Sequence, residues 1–303
     1  VGEDEGVGGL GWHGRRGEAP DGATLEWVRR SVDARARVEG VEFLPGGSVS
    51  AIHRVHLELP GGSSTDVVVR RWLNPEWQRN DPDLSPEHEA AALGVAEQND
   101  LPAPRLLALD PRGDQTDVPA LVMTLLPGGP KAEPVPRELA RTLAAIHSVP
   151  KIEDALPEFG FHNDASAEVV PRLSKDAGLW REASERVGQP PESPPASLVH
   201  RDFNPGNVLW QGDRISGVVD WGAACWGPPQ ADVAHLRWNL VFNNGIAAAD
   251  AFLQAYRHEA PGYRHDPYWD VRGVIDLFPE TEIHFFDARL LAALEAYLRK
   301  LLS

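Results

Sequence analysis

Sulfur is almost absent from this sequence, which has one cysteine, Cys225, and one methionine, Met123, among 303 residues. A lone cysteine excludes an internal disulfide and any cysteine-based metal cluster. No apolar run reaches the roughly 20 residues that a membrane-spanning helix needs. No charged start followed by a long apolar segment marks export either. The expected setting is therefore reducing and cytoplasmic, with no membrane partner. Positive charge is scarce too: 29 Lys and Arg stand against 45 Asp and Glu, a formal charge of −16. A field of that sign repels nucleic acid and attracts cations, so nucleic acid is not an expected partner and a cationic small molecule is a compatible one. The 11 histidines form no ligand-spaced motif, so zinc is not expected.

Glycine and proline, by contrast, are plentiful and punctuate the chain. Residues 1–22 hold eight glycines with no period of 2 or 3.6, the pattern of a loosely ordered arm. Val49 to Leu59 and Asp66 to Trp72 read as strands joined by the turn Pro60-Gly61-Gly62-Ser63. Pro86 to Gln98 reads as a helix with proline in its first turn, and Leu106 to Leu109 and Ala120 to Leu125 as short strands. After Pro127-Gly128-Gly129-Pro130 the pattern changes from strand-rich to helix-rich, beginning with Leu139, Leu143 and Ile146 on one face of a helix over 136–147. The expected organisation is an arm over 1–22, a first lobe over 23–126 and a second over 127–303. Helices are expected at 232–242, 247–259 and 281–302, with the stretch 188–197 a proline-rich loop.

The most informative stretch is His200-Arg201-Asp202-Phe203-Asn204-Pro205-Gly206-Asn207, followed by Val219-Asp220-Trp221-Gly222. Each places a carboxylate just after a short β-prone run, where a strand end can hold it. An acid and an amide five residues apart can bracket a phosphoryl-transfer centre, and a second acid can complete a metal shell. Such a centre needs hard oxygen ligands for Mg²⁺ and a carboxylate aimed at the attacking hydroxyl. A capped surface turn would use the same residue types, but not both segments in succession.

These two segments resemble the catalytic and metal-binding loops of the aminoglycoside phosphotransferase-like family, a small-molecule branch of the protein-kinase-like fold. That signature is similar to His-Gly-Asp-Leu-x-Pro-x-Asn followed by Ile-Asp-Trp; Arg201 stands here in place of Gly. The resemblance implies an α+β, bilobal fold: an N-terminal antiparallel sheet lobe with a helix, then a mainly helical C-terminal lobe. It implies Asp202 as the catalytic carboxylate, Asn207 and Asp220 as Mg²⁺ ligands, and ATP, with GTP as the alternative, as phosphate donor. Gly47, Ser48 and Ser50 fall on the family's phosphate-facing loop, and Met123 to Leu125 on the linker whose backbone meets the purine. The family's strand lysine falls on Val67-Val68-Val69-Arg70-Arg71. Alternation puts Val68, Arg70 and Trp72 on one face, so Arg70 takes the lysine's place, with Glu89 as the matching acid and Glu87 the runner-up. Asp232 is expected to cap a helix and tie down the loop before it, and His235 to be a packing residue.

The acceptor is expected to be a small molecule with a hydroxyl, such as an aminoglycoside, another antibiotic, choline, homoserine or a sugar-like metabolite. Trp226, Asp276, Glu280 and Glu282 are the candidates to contact it. The sequence leaves monomer and homodimer equally open. Arginine at the lysine position favours one rival, a nucleotide-binding pseudokinase with a regulatory or scaffold role.

Overall fold

The computed structural model describes residues 17–45, 50–73, 85–161, 169–192, 195–278 and 287–303. The chain forms two compact units: residues up to Leu126 together with Asp220–Ala223, and Pro127–Val219 together with Ala224–Ser303.

The first unit is built on a five-stranded antiparallel sheet. Its strands are β1 (Arg37–Leu44), β2 (Ala51–Glu58), β3 (Ser64–Arg71), β4 (Leu106–Asp110) and β5 (Ala120–Thr124), in the order β1-β2-β3-β5-β4. The β2–β3 turn is closed by Gly61 and Gly62, both at positive φ, a region that costs glycine nothing. β2 alternates buried and half-buried residues, as a strand covered on one face should. β3 lies between β2 and β5 and is buried from Val67 through Arg71. Helix α1 (Gly22–Val32) is started by Asp21, whose carboxylate accepts from Thr24 N at 2.8 Å. Its Trp27 and Val28 pack with Val55, Leu57, Val67, Val69 and Val122. Helix α2 (Pro86–Gln98) has Ser85 as its N-cap and Pro86 in its first turn, the start that the sequence predicts.

One inward residue of β2 is polar. His53 is 1% exposed, and both its ring nitrogens lack a hydrogen-bond partner among the described residues. Burial and the nearby Arg71 guanidinium push its pKa down to about 4 from the ordinary 6.5, against a smaller pull from Asp117. The folded chain therefore refuses a proton that the unfolded chain accepts. Stability is full above pH 6.5 and falls as pH drops toward 4. Urea unfolding of wild type and His53→Leu between pH 7 and 4.5 is expected to show about 2 kcal/mol less loss in the variant. Equal slopes would contradict a proton-refusing His53.

The second unit contains helices α3 (Pro136–His147), α4 (Ala177–Val187), α5 (Pro229–Asn244), α6 (Ile246–Glu259), α7 (Pro267–Ile275) and α8 (Ala288–Leu302). It also holds two small antiparallel ribbons, β6 (Ser197–Val199) with β9 (Cys225–Gly227) and β7 (Val208–Gln211) with β8 (Arg214–Val218). α3 packs on α6, and α5 packs against α6, α7 and α8. Leu139, Leu143, Trp180, Leu240, Phe252, Tyr256, Leu294 and Leu298 fill this core. Gly128 sits at φ +104, where an added Cβ would lie 2.5 Å from the Trp210 carbonyl oxygen. Only glycine permits the exchange of bonds between Gly129 and Trp210 that follows.

An antiparallel-sheet lobe with helices, followed by a largely helical lobe, is the α+β arrangement expected from the sequence. The regions expected at 1–16 and 281–286 lie outside the described residues. α4, α7 and β9 are elements that the sequence reading did not predict.

Candidate active site

The loop 200–207 joins β6 to β7, so both its ends are anchored in ribbons. Its backbone is held from beneath by Asp232, which is fully buried in the first turn of α5. One Asp232 oxygen accepts from His200 N at 2.7 Å and the other from Arg201 N at 2.7 Å. His147 Nε2 lies 3.1 Å from the same carboxylate, and its Nδ1 is 2.5 Å from the Tyr256 hydroxyl. Burial raises the pKa of Asp232, but His147, His200 and the loop amides outweigh it and hold the carboxyl below its ordinary value. The predicted tie to the preceding loop is thus present. The cap is not, because α5 begins at Pro229 and Asp232 lies inside it.

Arg201 explains its own departure from glycine. Its φ is +69, a left-handed conformation that costs a residue with a Cβ about 1 kcal/mol. It is held there by the Asp232 carboxylate on its N–H, the Gly160 carbonyl 2.7 Å from Nη1, and the Phe159 ring 4.6 Å from Cζ.

Asp202 projects from this loop with its carboxylate oriented by amides. Asn204 Nδ2 donates to Oδ1 at 2.8 Å and Asn207 Nδ2 to Oδ2 at 2.7 Å. Both amides also donate to the Asp202 main-chain carbonyl. His235 Nε2 lies 3.1 Å from Oδ1. Burial raises the pKa of Asp202, and His235, His200 and Asn204 together bring it below the ordinary value, so the group is a carboxylate at neutral pH. Asn207 O accepts from Val219 N at 2.9 Å, which ties the loop to the residue preceding Asp220.

In the first unit, Arg70 occupies the position expected for the strand cation. It is 4% exposed. Its Nη1 donates to Glu89 Oε1 at 2.9 Å and Asp220 Oδ1 at 2.6 Å, and its Nε to Ser50 Oγ at 2.7 Å. The Trp72 ring lies 5.1 Å from its Cζ, on the face that alternation predicts. Burial acts to lower the pKa of Arg70, but Asp220 and Glu89 raise it further, so the guanidinium is permanently charged. Glu89 is driven above its ordinary value by burial and by the Asp220 charge, against the pull of Arg70. Glu87, the runner-up, points outward and is exposed. Asp220 sits at φ +67, a conformation that aspartate tolerates better than most residues.

The remaining expected residues fall less evenly. Ser50 is 1% exposed and its oxygen is engaged by Arg70. Met123 is buried in β5 opposite Val68, and Leu125 lies just past the end of that strand. Trp226 is 1% exposed in β9, paired with Leu198, so its ring serves the core and presents no surface to an acceptor. Asp276 ends α7 and lies 2.7 Å from Arg272 Nε. Gly47, Ser48, Glu280 and Glu282 lie outside the described residues. Asn204 and His235 were not among the expected site residues. A signal for His235 existed, since it is three residues beyond Asp232 and shares its helix face.

A family model described as the phosphotransferase enzyme family matches residues 48–271. The chain belongs to this family. The chain is 28% identical over 167 residues to a homoserine kinase of Parvibaculum lavamentivorans, covering 49% of this chain and 51% of that protein. It is 34% identical over 142 residues to the viomycin phosphotransferase of Streptomyces vinaceus, covering 38% and 48%. The chain thus spans about half the length of the curated relatives it matches. The fold extends further: a thermostable mutant of aminoglycoside phosphotransferase APH(4)-Ia, solved with AMP-PNP and hygromycin B, superposes with a TM-score of 0.61. That comparison covers 92% of this chain and 97% of the other at 15% identity. The sheet lobe and helical lobe are therefore those of the phosphotransferase enzyme family, a bilobal protein-kinase-like fold. Among the described residues no helix is long and apolar enough to cross a membrane.

Proposed function

We propose that this phosphotransferase moves the γ-phosphate of ATP, or of GTP, onto a hydroxyl of a small molecule. The observation that carries the reading is the Asp202 carboxylate, oriented on both oxygens by Asn204 and Asn207 within a loop pinned to the buried Asp232. Asp202 accepts the proton of the acceptor hydroxyl as the new O–P bond forms and the bond from phosphorus to the departing nucleoside diphosphate breaks. Arg70 supplies fixed positive charge toward the phosphates, and Glu89 holds it in place. The backbone after Met123 and at Leu125 receives the base. Gly47, Ser48 and Ser50 are proposed to face the phosphates.

Asp220 and Asn207 are the proposed Mg²⁺ ligands, and their chemistry fits. Asn207 spends its Nδ2 on Asp202, which leaves the amide oxygen for a cation. Asp220 gives Oδ1 to Arg70 and retains a second carboxylate oxygen. Among the described residues no group of three or more His, Cys, Asp or Glu could hold a metal unaided. Mg²⁺ needs few ligands from protein, because it commonly takes its others from phosphate and water. When bound, the ion offsets phosphate charge. Asp220→Ala is expected to abolish the Mg²⁺-dependent part of nucleotide binding, roughly tenfold or more in Kd. Nucleotide titrations with Mg²⁺ and with EDTA check this; the same ratio in variant and wild type would remove Asp220 from the ligand set.

Asp276, Glu280 and Glu282 remain proposed contacts for a cationic acceptor such as an aminoglycoside, while the homoserine kinase and viomycin phosphotransferase relatives suggest an amino alcohol or a peptide antibiotic. ADP release from Mg-ATP with pooled hydroxyl-bearing antibiotics and metabolites tests the reading. Turnover with one acceptor supports it. Nucleotide binding without turnover on any of them would favour the pseudokinase reading, which rests on Arg70 standing for lysine.

A further inference from the structure

We propose that His235 is a positioning residue for Asp202, one that fixes which carboxylate oxygen meets the acceptor hydroxyl. The role rests on the phosphotransferase reading above. Asp232 and His235 stand three residues apart on α5, and both reach the 200–207 loop. Asp232 takes the main-chain N–H groups of His200 and Arg201, and His235 Nε2 lies 3.1 Å from Asp202 Oδ1. One helix face thus sets both the backbone of the loop and its working side chain.

The placement of the donors is asymmetric. Among the described residues, Oδ1 faces both Asn204 Nδ2 at 2.8 Å and His235 Nε2, whereas Oδ2 has Asn207 Nδ2 at 2.7 Å. A carboxylate oxygen has two strong acceptor directions. With Oδ1 engaged from two sides, Oδ2 keeps the direction that can receive a hydroxyl proton. His235 Nε2 is itself buried, and among the described residues Asp202 Oδ1 is the polar group it approaches. A buried ring nitrogen with no other partner is costly, and the adjacent carboxylate offsets that cost. The ring cannot swing freely: Trp238 packs edge-on against it at 5.2 Å, and Trp238 in turn abuts Gly273 of α7.

The test measures transfer from Mg-ATP to a pool containing L-homoserine, viomycin and hygromycin B, using wild type, His235→Ala and His235→Gln. Thermal unfolding of each variant serves as the folding control. His235→Ala is expected to lower kcat about 10- to 100-fold with the KM for ATP unchanged, because a misplaced general base slows the step without touching nucleotide binding. His235→Gln, whose amide can still donate toward Oδ1, is expected to recover at least a third of the wild-type kcat. A helix-packing role would not give that split or that recovery. Transfer by wild type with His235→Ala within twofold of it overturns this role and leaves the phosphotransferase reading intact. A wild type that binds Mg-ATP but transfers to no member of the pool counts against the reading itself, and the role of His235 falls with it.

Discussion

Asp202→Ala is expected to lower transfer by about 10²- to 10⁴-fold while leaving nucleotide affinity nearly unchanged. The proposed role of Asp202 is confined to the acceptor: it orients the hydroxyl and takes its proton. The groups proposed to hold the nucleotide, Arg70, Glu89 and Asp220, are bonded to one another. The loop should keep its shape in the variant, because its backbone is fixed by Asp232 through His200 and Arg201. Part of the network does change: Asn204 and Asn207 each lose one acceptor, though both keep the Asp202 main-chain carbonyl. Asp202→Asn therefore belongs beside it, since the amide preserves volume but cannot accept the proton. Steady-state transfer and nucleotide titration on both variants decide the matter. Retention of even a tenth of wild-type turnover in Asp202→Ala would exclude the role, and equal losses of turnover and nucleotide affinity would point to collapse of the loop.

Much of this site is legible in the sequence because its chemistry is local. Asp202 and Asn207 share one turn, and the bonds between them span five residues. Pro86 and Pro136 mark the helix starts because proline at the first turn sacrifices an N–H that would have no partner anyway. What the sequence does not show is set by contacts between distant segments. α7 buries Asp270 and Arg272, which breaks the apolar stripe by which a helix is recognised. Among the described residues Asp270 is satisfied by Arg237 of α5, His265 and Tyr297 of α8. Trp226, close after the proposed metal ligand Asp220, reads as a site residue, but its three-residue strand is too short to show a period and pairs it inward with β6. For His235 the spacing from Asp232 marks a helix face, but its partner Asp202 becomes visible only when α5 is laid against the loop.

Removing the Arg70 guanidinium is expected to cost about 3–5 kcal/mol of stability at neutral pH, because it strands the buried Glu89 carboxylate. Glu89 is 1% exposed, and the Arg70 guanidinium pairs with it at 2.9 Å. The pair is therefore not a surface bridge of negligible worth. Burial and the Asp220 charge already hold the Glu89 pKa above its ordinary value, and Arg70 is what opposes them. In Arg70→Met that opposition is gone and the folded pKa rises further. A carboxyl whose folded pKa lies above its unfolded value stabilises the fold below the unfolded pKa, and that contribution is lost as pH rises through the folded one. Arg70→Met should thus unfold at progressively lower urea from pH 5 to pH 8, while wild type changes less over the same interval. Arg70→Met with Glu89→Gln should recover most of the loss, since the uncompensated charge is gone. Arg70→Lys should fall between. Its ammonium can reach the two carboxylates but has no second arm for Ser50 Oγ, which Arg70 Nε meets at 2.7 Å. Urea midpoints for the four proteins at both pH values test the chain of reasoning. A single Arg70→Met variant as stable at pH 8 as at pH 5, and no rescue by Glu89→Gln, would mean that Glu89 is not the group the arginine is there to neutralise.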